Sequence, residues 1–236
     1  MVDAAAARRS RFWSAVLLSS VFGTNMGDLV AGPLHLGHVQ GLPPLLIVFA
    51  LLLACGFRSG GPRAGTPFGV PPAQRPMSEP FFWAAIATLR TGATNVADFA
   101  NHQHHLSAAV LLPLLAALLA LLARFDRTVN AERGVDLRRL GVSYWSAMFV
   151  AGVFGTVAGD AAEDALGDWG ACSALSVLLL PFFLSRCAGG FAGTMRYWLV
   201  VALARTLGTA LGDTLADRDG IGLGVPLSTA CTAAAF

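Results

Sequence analysis

The sequence predicts an all-α, polytopic membrane protein: eight transmembrane helices built as four parallel two-helix repeats, with pseudo-symmetry along the membrane normal. Three observations predict it. The first is composition. The 236 residues are 55% hydrophobic and only 13% charged, with mean hydropathy +0.63, and a soluble domain of this length needs a more charged surface. The second is one motif written four times. Trp13, Trp83, Trp145 and Trp198 each stand fifteen residues before an aspartate, namely Asp28, Asp98, Asp160 and Asp213. Repetition at a fixed spacing is the signature of an internally duplicated architecture. The third is the distribution of arginine, taken up below.

Eight apolar segments can be placed, at roughly Phe12–Val30, Leu42–Phe57, Pro80–Phe99, Ser107–Ala123, Val142–Asp160, Trp169–Arg186, Met195–Leu215 and Ile221–Phe236. Most approach the ~20 residues that a helix needs to cross a bilayer core. The second and eighth are shorter, at 16 residues each, so the eighth is expected to be tilted, partly interfacial or clipped. Length and the lack of strand alternation favour helices over barrel strands. Odd segments carry the motif and even ones are plain, as in LLIVFALLLACGF and ALSVLLLPFFLS. A two-helix unit returns the chain to its starting side, so all four copies point the same way. The chain therefore reads as one membrane domain over 1–236, with repeats at 12–57, 80–124, 142–187 and 195–236. Residues 58–79, rich in Pro and Gly, read as a flexible cytoplasmic linker.

All sixteen basic residues are Arg. The absence of Lys excludes a retinal Schiff base, a pyridoxal lysine and a phosphate-loop lysine. Arg8, Arg9, Arg11, Arg58, Arg63, Arg75, Arg124, Arg127, Arg133, Arg138, Arg139, Arg186 and Arg196 lie before the first repeat or between repeats, whereas the loops inside repeats hold only Arg218. By the positive-inside rule both termini are cytoplasmic and the within-repeat turns face outward. The opening ARRSRFW has features of a signal peptide, but the apolar run after it is the first repeat copy. It is better read as a retained helix. The expected location is a bacterial inner (plasma) membrane. Cys55, Cys172, Cys187 and Cys231 lie far apart with no C-x-x-C pair, so no disulfide framework is expected.

On a helix, residues four apart share a face. Thr24/Asp28, Thr94/Asp98, Thr156/Asp160 and Thr209/Asp213 therefore stack as T-x-x-x-D. One turn back the stripe carries Ser20, Arg90, Gly152 and Arg205; one turn on it carries Gly32, His102, Asp164 and Asp217. Beside it run small pairs, Gly23/Gly27, Ala93/Ala97, Gly155/Gly159 and Gly208/Gly212, which let helices approach closely. Four motif helices packed about a shared axis, with plain helices towards lipid, follow from this pattern. The four Trp are expected as interfacial anchors, which places each Asp about 22 Å away along its helix, in the outer hydrocarbon layer. A carboxylate there normally faces a partner or a water-filled cavity.

These residues support a transporter or channel-like carrier of a small cation. Asp28, Asp98, Asp160, Asp213, Thr24, Thr94, Thr156 and Thr209 would form the site, and Arg90 and Arg205 would tune its charge. Four Asp and two Arg leave a net −2, which matches one divalent ion, and carboxylate and hydroxyl oxygens suit hard cations. Asp164, Asp217 and His102 are further candidates for metal ligation. No cofactor is expected beyond such a bound metal cation, and no enzyme activity, because no nucleophile–base pair stands out. The expected partners are the lipid bilayer, a small ion or solute and a second copy of the chain; nucleic acid is not among them. Two other readings stay open. The polar stripe could simply knit the repeats together, and the protein could be a non-catalytic scaffold or regulator acting through its Arg-rich cytoplasmic loops.

Four tandem two-helix units, each with one Trp and a G-[TA]-x-x-G-D-like ending, resemble a bacterial integral-membrane family of repeats of unknown function, whose members are labelled membrane-anchored proteins. An older label for them suggests a role in amylopullulanase regulation. The resemblance runs through Trp13, Trp83, Trp145, Trp198 and the four Asp. Copy 2 departs from it, with Ala93 and Ala97 in place of Gly. What the resemblance implies is an architecture, without a chemistry.

Overall fold

A computed structural model describes residues 2–59, 76–103, 106–130, 134–184 and 193–236. Most of the expected linker at 58–79 lies outside the described residues, as do His104, His105 and the side chain of His102. The described chain is all-helical apart from one short hairpin. In order, it forms α1 (Val2–Ala31), α2 (Leu42–Ser59), α3 (Glu79–Asp98) with a π-helical turn at Phe99–Gln103, and α4 (Ala108–Phe125). Strands β1 (Val129–Asn130) and β2 (Gly134–Val135) follow, then α5 (Val142–Leu166), α6 (Asp168–Leu184), α7 (Thr194–Ala216) and α8 (Val225–Ala235).

Local chemistry explains where these bounds depart from the apolar segments. The Ala-rich start continues α1 back to Val2, since helix propensity does not require an apolar run. The same holds for AAEDAL, which carries α5 past Asp160 as far as Gly167. Gly167 then takes φ +70°, a conformation that suits glycine, and α6 begins at once. At the other end of the chain, Gly222 and Gly224 both take positive φ. The segment expected from Ile221 therefore becomes helical only at Val225, and α8 has 11 residues, about 16 Å of helix.

Eight spanning helices were expected. Four of those described, α2, α4, α5 and α7, are long and apolar enough to cross a membrane. The others fall short for separable reasons: α6 and α8 are short, while α1 and α3 are long enough but less apolar, with Ser19, Ser20, Thr24 and Asn25 in the one and Arg90, Thr91, Thr94 and Asn95 in the other.

The packing is cyclic. Helix α1 packs on α3, α3 on α5, α5 on α7, and α7 back on α1. Each plain helix lies outside this ring, chiefly against the motif helix of the next copy: α2 on α3, α4 on α5, α6 on α7, and α8 closing the cycle on α1. The small-residue stripes make the close approach. A Cβ on Gly27 would stand 2.6 Å from Thr94 Cβ, one on Gly159 2.7 Å from Thr209 Cβ, and one on Gly212 3.1 Å from Thr24 Cβ. The three glycine stripes thus each receive the Thr of the neighbouring motif helix. The outer faces are apolar and exposed, with Leu46, Ile47 and Leu51 on α2, Val110, Leu114 and Leu121 on α4, and Val177 and Leu178 on α6.

The Trp residues do not form an exposed belt. Trp13, Trp145 and Trp198 are buried, and they pack with Phe12, Phe82, Trp83, Tyr144 and Tyr197 into an aromatic plug at one end of the ring. Trp198 donates from Nε1 to Asp126 Oδ2 at 3.1 Å, and Asp126 Oδ1 accepts from the Thr128 backbone at 2.9 Å. The polar edge of this Trp is satisfied inside the protein, so it has no need of a headgroup layer.

Candidate functional site

At the end of the ring opposite the aromatic plug, the T-x-x-x-D stripes converge on a cavity of about 470 Å³. All four Thr (Thr24, Thr94, Thr156, Thr209) and all four Asp (Asp28, Asp98, Asp160, Asp213) of the motif line it. Asp164 and Asp217, one turn further on, line it too. The side chain of His102 lies outside the described residues. Arg90 and Arg205 are not in the lining; both are almost wholly buried, at 1% and 0% exposure.

Three further polar residues reach the cavity that the stripe did not include, Glu163, Asn101 and His38, beside the apolar Ala216 and Val225. Glu163 and Asn101 each stand three residues after a motif Asp, and i+3 shares a helix face as i+4 does. That signal was in the sequence. Asn101 reaches the cavity from the π-helical turn that follows α3. His38 comes from the α1–α2 loop, with Nδ1 3.6 Å from Asp98 Oδ2, and no periodicity could have placed it.

The lining therefore holds seven carboxyl groups, on Asp28, Asp98, Asp160, Glu163, Asp164, Asp213 and Asp217, and no Arg among the described residues. Asp160, Glu163 and Asp213 can each offer one oxygen such that all three atoms lie within 4.8 Å of one another. Asp217, just beyond α7, has its carboxyl held above the ordinary carboxylate range, by its partial burial first and then by the charges of Asp168 and Asp219.

The floor of the cavity is built differently from its walls. Arg205 donates from Nη1 to the Ser20 carbonyl at 2.6 Å and to Thr24 Oγ1 at 2.9 Å. From Nη2 it donates to Thr94 Oγ1 at 2.6 Å and Thr156 Oγ1 at 2.8 Å, and from Nε to the Gly152 carbonyl at 3.4 Å. All five guanidinium N–H groups are used, and none goes to a carboxylate. The Thr protons turn inward to carbonyls: Thr94 to Gly23 and Arg90, Thr156 to Gly152 and Thr24 to Ser20. Three motif hydroxyls are thus committed to holding Arg205, and the oxygens left facing the cavity to meet a cation are those of the carboxylates, with Thr209 and Asn101 beside them.

Below Arg205, Arg90 donates from Nη1 to Ser20 Oγ and from Nη2 to Met148 Sδ at 3.9 Å. The Tyr144 and Tyr197 hydroxyls follow, paired at 3.1 Å, and then the aromatic plug.

No curated protein and no solved structure matches the chain. A family model does, described as a Repeat of Unknown Function (DUF347), over residues 11–61 and 196–236. Those residues are copies 1 and 4, which meet in the structure where α1 packs on α7 and α8 packs on α1. The first and last of the four two-helix units are thus both similar to one uncharacterised repeat.

Proposed function

We propose that the protein is a multi-pass membrane carrier that takes a small cation into the carboxylate cavity. The observation that carries this reading is the lining itself: seven carboxyl groups around about 470 Å³, with no Arg among the described lining residues. Carboxylates crowded in one concavity focus a negative potential that concentrates cations. Their oxygens suit hard ions, and the volume falls within the usual range for small-molecule sites. Exposed apolar outer helices and four helices of spanning length support a bilayer setting. We place all eight helices in a bacterial inner membrane, the shorter ones tilted or partly interfacial. By the Arg distribution the termini are cytoplasmic and the cavity opens outward.

Thermal unfolding of the purified protein against a panel of monovalent and divalent cations tests this, with Asp160→Asn and Asp213→Asn alongside wild type. A cation at about 100 times its Kd stabilises the native state by roughly 2.7 kcal/mol. The expected result is a rise in Tm specific to one class of cation and lost in both variants, together with flux of that cation in liposomes that the variants lack. Normal flux in both variants would sink the proposal. Loss of function in variants of the loop Arg residues, with these Asp variants unaffected, would favour the scaffold instead.

A further inference from the structure

The axis of the ring is closed beneath the cavity, and the closure is electrostatic as well as steric. Arg205 lies fully buried across the axis and is bonded to an oxygen on each of the three other motif helices: Thr24 on α1, Thr94 on α3 and Thr156 on α5. Arg90 stands at the equivalent position of copy 2 and shares Ser20 with it, through the hydroxyl where Arg205 takes the carbonyl. Both residues stand one helical turn before their motif Thr, but the Arg205 guanidinium reaches the Thr hydroxyls while that of Arg90 stays on Ser20 and Met148. Guanidinium groups remain protonated in proteins. Along the axis the sign of the fixed charge therefore reverses, from seven carboxyl groups in the cavity to two tethered cations below it.

We propose that Arg205, supported by Arg90, is the selectivity septum of the axis: a tethered guanidinium that, while in place, stops protons and unselected cations from leaking past the cavity, so that carriage of a bound cation requires its displacement. The inference rests on the carrier reading only for what the septum guards. The septum itself stands on the hydrogen-bond set. A bare cation moving inward would have to displace a positive charge held by five bonds, and it would meet no free carboxylate in doing so. Anions are excluded earlier, by the cavity. The neutral hydroxyls of Thr24, Thr94 and Thr156 are what place the charge on the axis, because carboxylates at that level would neutralise it. Fixed positive groups lining a constriction are a recognised barrier to protons and cations.

The test uses the full chain in liposomes loaded with a pH-sensitive dye, under an imposed potential, with sodium or potassium outside and no other solute. Wild type should hold the proton gradient as well as protein-free liposomes do. Arg205→Gln removes the charge and leaves a shorter polar side chain with two donors, and should dissipate the gradient at least tenfold faster. Arg205→Lys should stay tight, although it loses the fork geometry. Thr94→Val with Thr156→Val leaves Nη2 without its two acceptors and should leak while retaining both arginines. A leaky wild type overturns the septum whether or not any variant folds. So does an Arg205→Gln protein that is monodisperse yet as tight as wild type.

Cation-dependent thermal shifts on the same samples separate this inference from the carrier reading. Tight Arg205→Gln liposomes with a preserved cation shift would remove the septum and leave the site. Leaky ones with no cation shift even in wild type would leave the septum and remove the site.

Discussion

Replacing Gly159 by Ala tests the ring geometry directly, because the structure fixes how much room is missing. A Cβ on Gly159 would lie 2.7 Å from Thr209 Cβ, 2.8 Å from Thr209 Cγ2 and 3.2 Å from the Thr206 carbonyl. Carbon atoms rest about 3.5–4.0 Å apart, so α5 and α7 would have to separate by roughly 1 Å. Part of the obstacle is backbone and cannot rotate away. Overpacking of this kind costs roughly 1–3 kcal/mol, and with two carbons and a carbonyl in the way we take the upper part of that range. Ala recovers about 1 kcal/mol of helix propensity over Gly. The net is a loss of about 2 kcal/mol, or a fall in Tm of roughly 4–8 °C for a chain of this size. Gly92 supplies the control. It is buried in α3, but a Cβ there would meet only Leu42 Cδ2, at 3.9 Å. Gly92→Ala should therefore raise Tm by about 2–4 °C through propensity alone. Both variants are measured in one detergent at one scan rate, since irreversible unfolding makes Tm depend on the rate. If Gly159→Ala rises together with Gly92→Ala, the motif helices are not in the close contact on which the cavity and its floor depend.

Two other substitutions bear on buried polar groups. Asn25 and Asn95 are fully buried, and neither side-chain amide has a hydrogen-bond partner among the described residues; copies 3 and 4 carry Val157 and Ala210 at the equivalent positions. Asn25→Val and Asn95→Val should leave Tm unchanged or raise it, since replacing an unsatisfied buried group by an apolar one removes a cost of about 1–3 kcal/mol, and a fall of several degrees would show that the amides are engaged. Trp198→Phe should lower Tm by roughly 2–4 °C per kcal/mol of the bond lost to Asp126. Combined with Asp126→Asn its effect should be less than additive, and full additivity in that double-mutant cycle would refute the coupling.

Much of this arrangement is legible in the sequence because helices report their faces at fixed spacing. The stripe Thr24/Asp28 and its three copies needed only the i, i+4 rule to be placed on one side of each helix, and the small pairs beside it marked the neighbour. The step from four faces to one cavity relied on repetition, since identical faces on parallel helices have one symmetric way to meet. What stayed hidden depends on side chains acting across the ring. Nothing in the spacing of Arg205 says that its guanidinium lies on the axis rather than pairing with Asp213 eight residues on. The Trp positions misled for a related reason. An aromatic at the end of an apolar segment fits a headgroup belt, and the partner that satisfies the buried indole of Trp198 is Asp126, seventy-two residues away in an inter-repeat loop. The start of α8 was displaced by two glycines whose positive φ no hydropathy window records.

The differences between copies follow the same geometry. A ring of hydroxyls or short carboxylates can be built from four identical side chains, because each occupies its own quadrant, and the Thr and Asp positions are identical in all four copies. One turn below, the positions are Ser20, Arg90, Gly152 and Arg205. A side chain long enough to reach the axis from there excludes its equivalents, since only one group can occupy the axis itself. Arg205 takes that place and uses every donor it has. Arg90 settles onto Ser20 and Met148, with Nε left unpartnered among the described residues. Gly152 carries no side chain beyond its backbone and offers Arg205 its carbonyl. The fourfold pattern of the outer cavity thus reduces to a single occupant at its floor, because four equal cations would not fit and would repel one another. On this reasoning, exchanging the residues of copies 2 and 3 at this level, as Arg90→Gly with Gly152→Arg, keeps the charge count and still disrupts the floor. The new arginine would be built against Ala93, which already lies 2.6 Å from where its Cβ would stand.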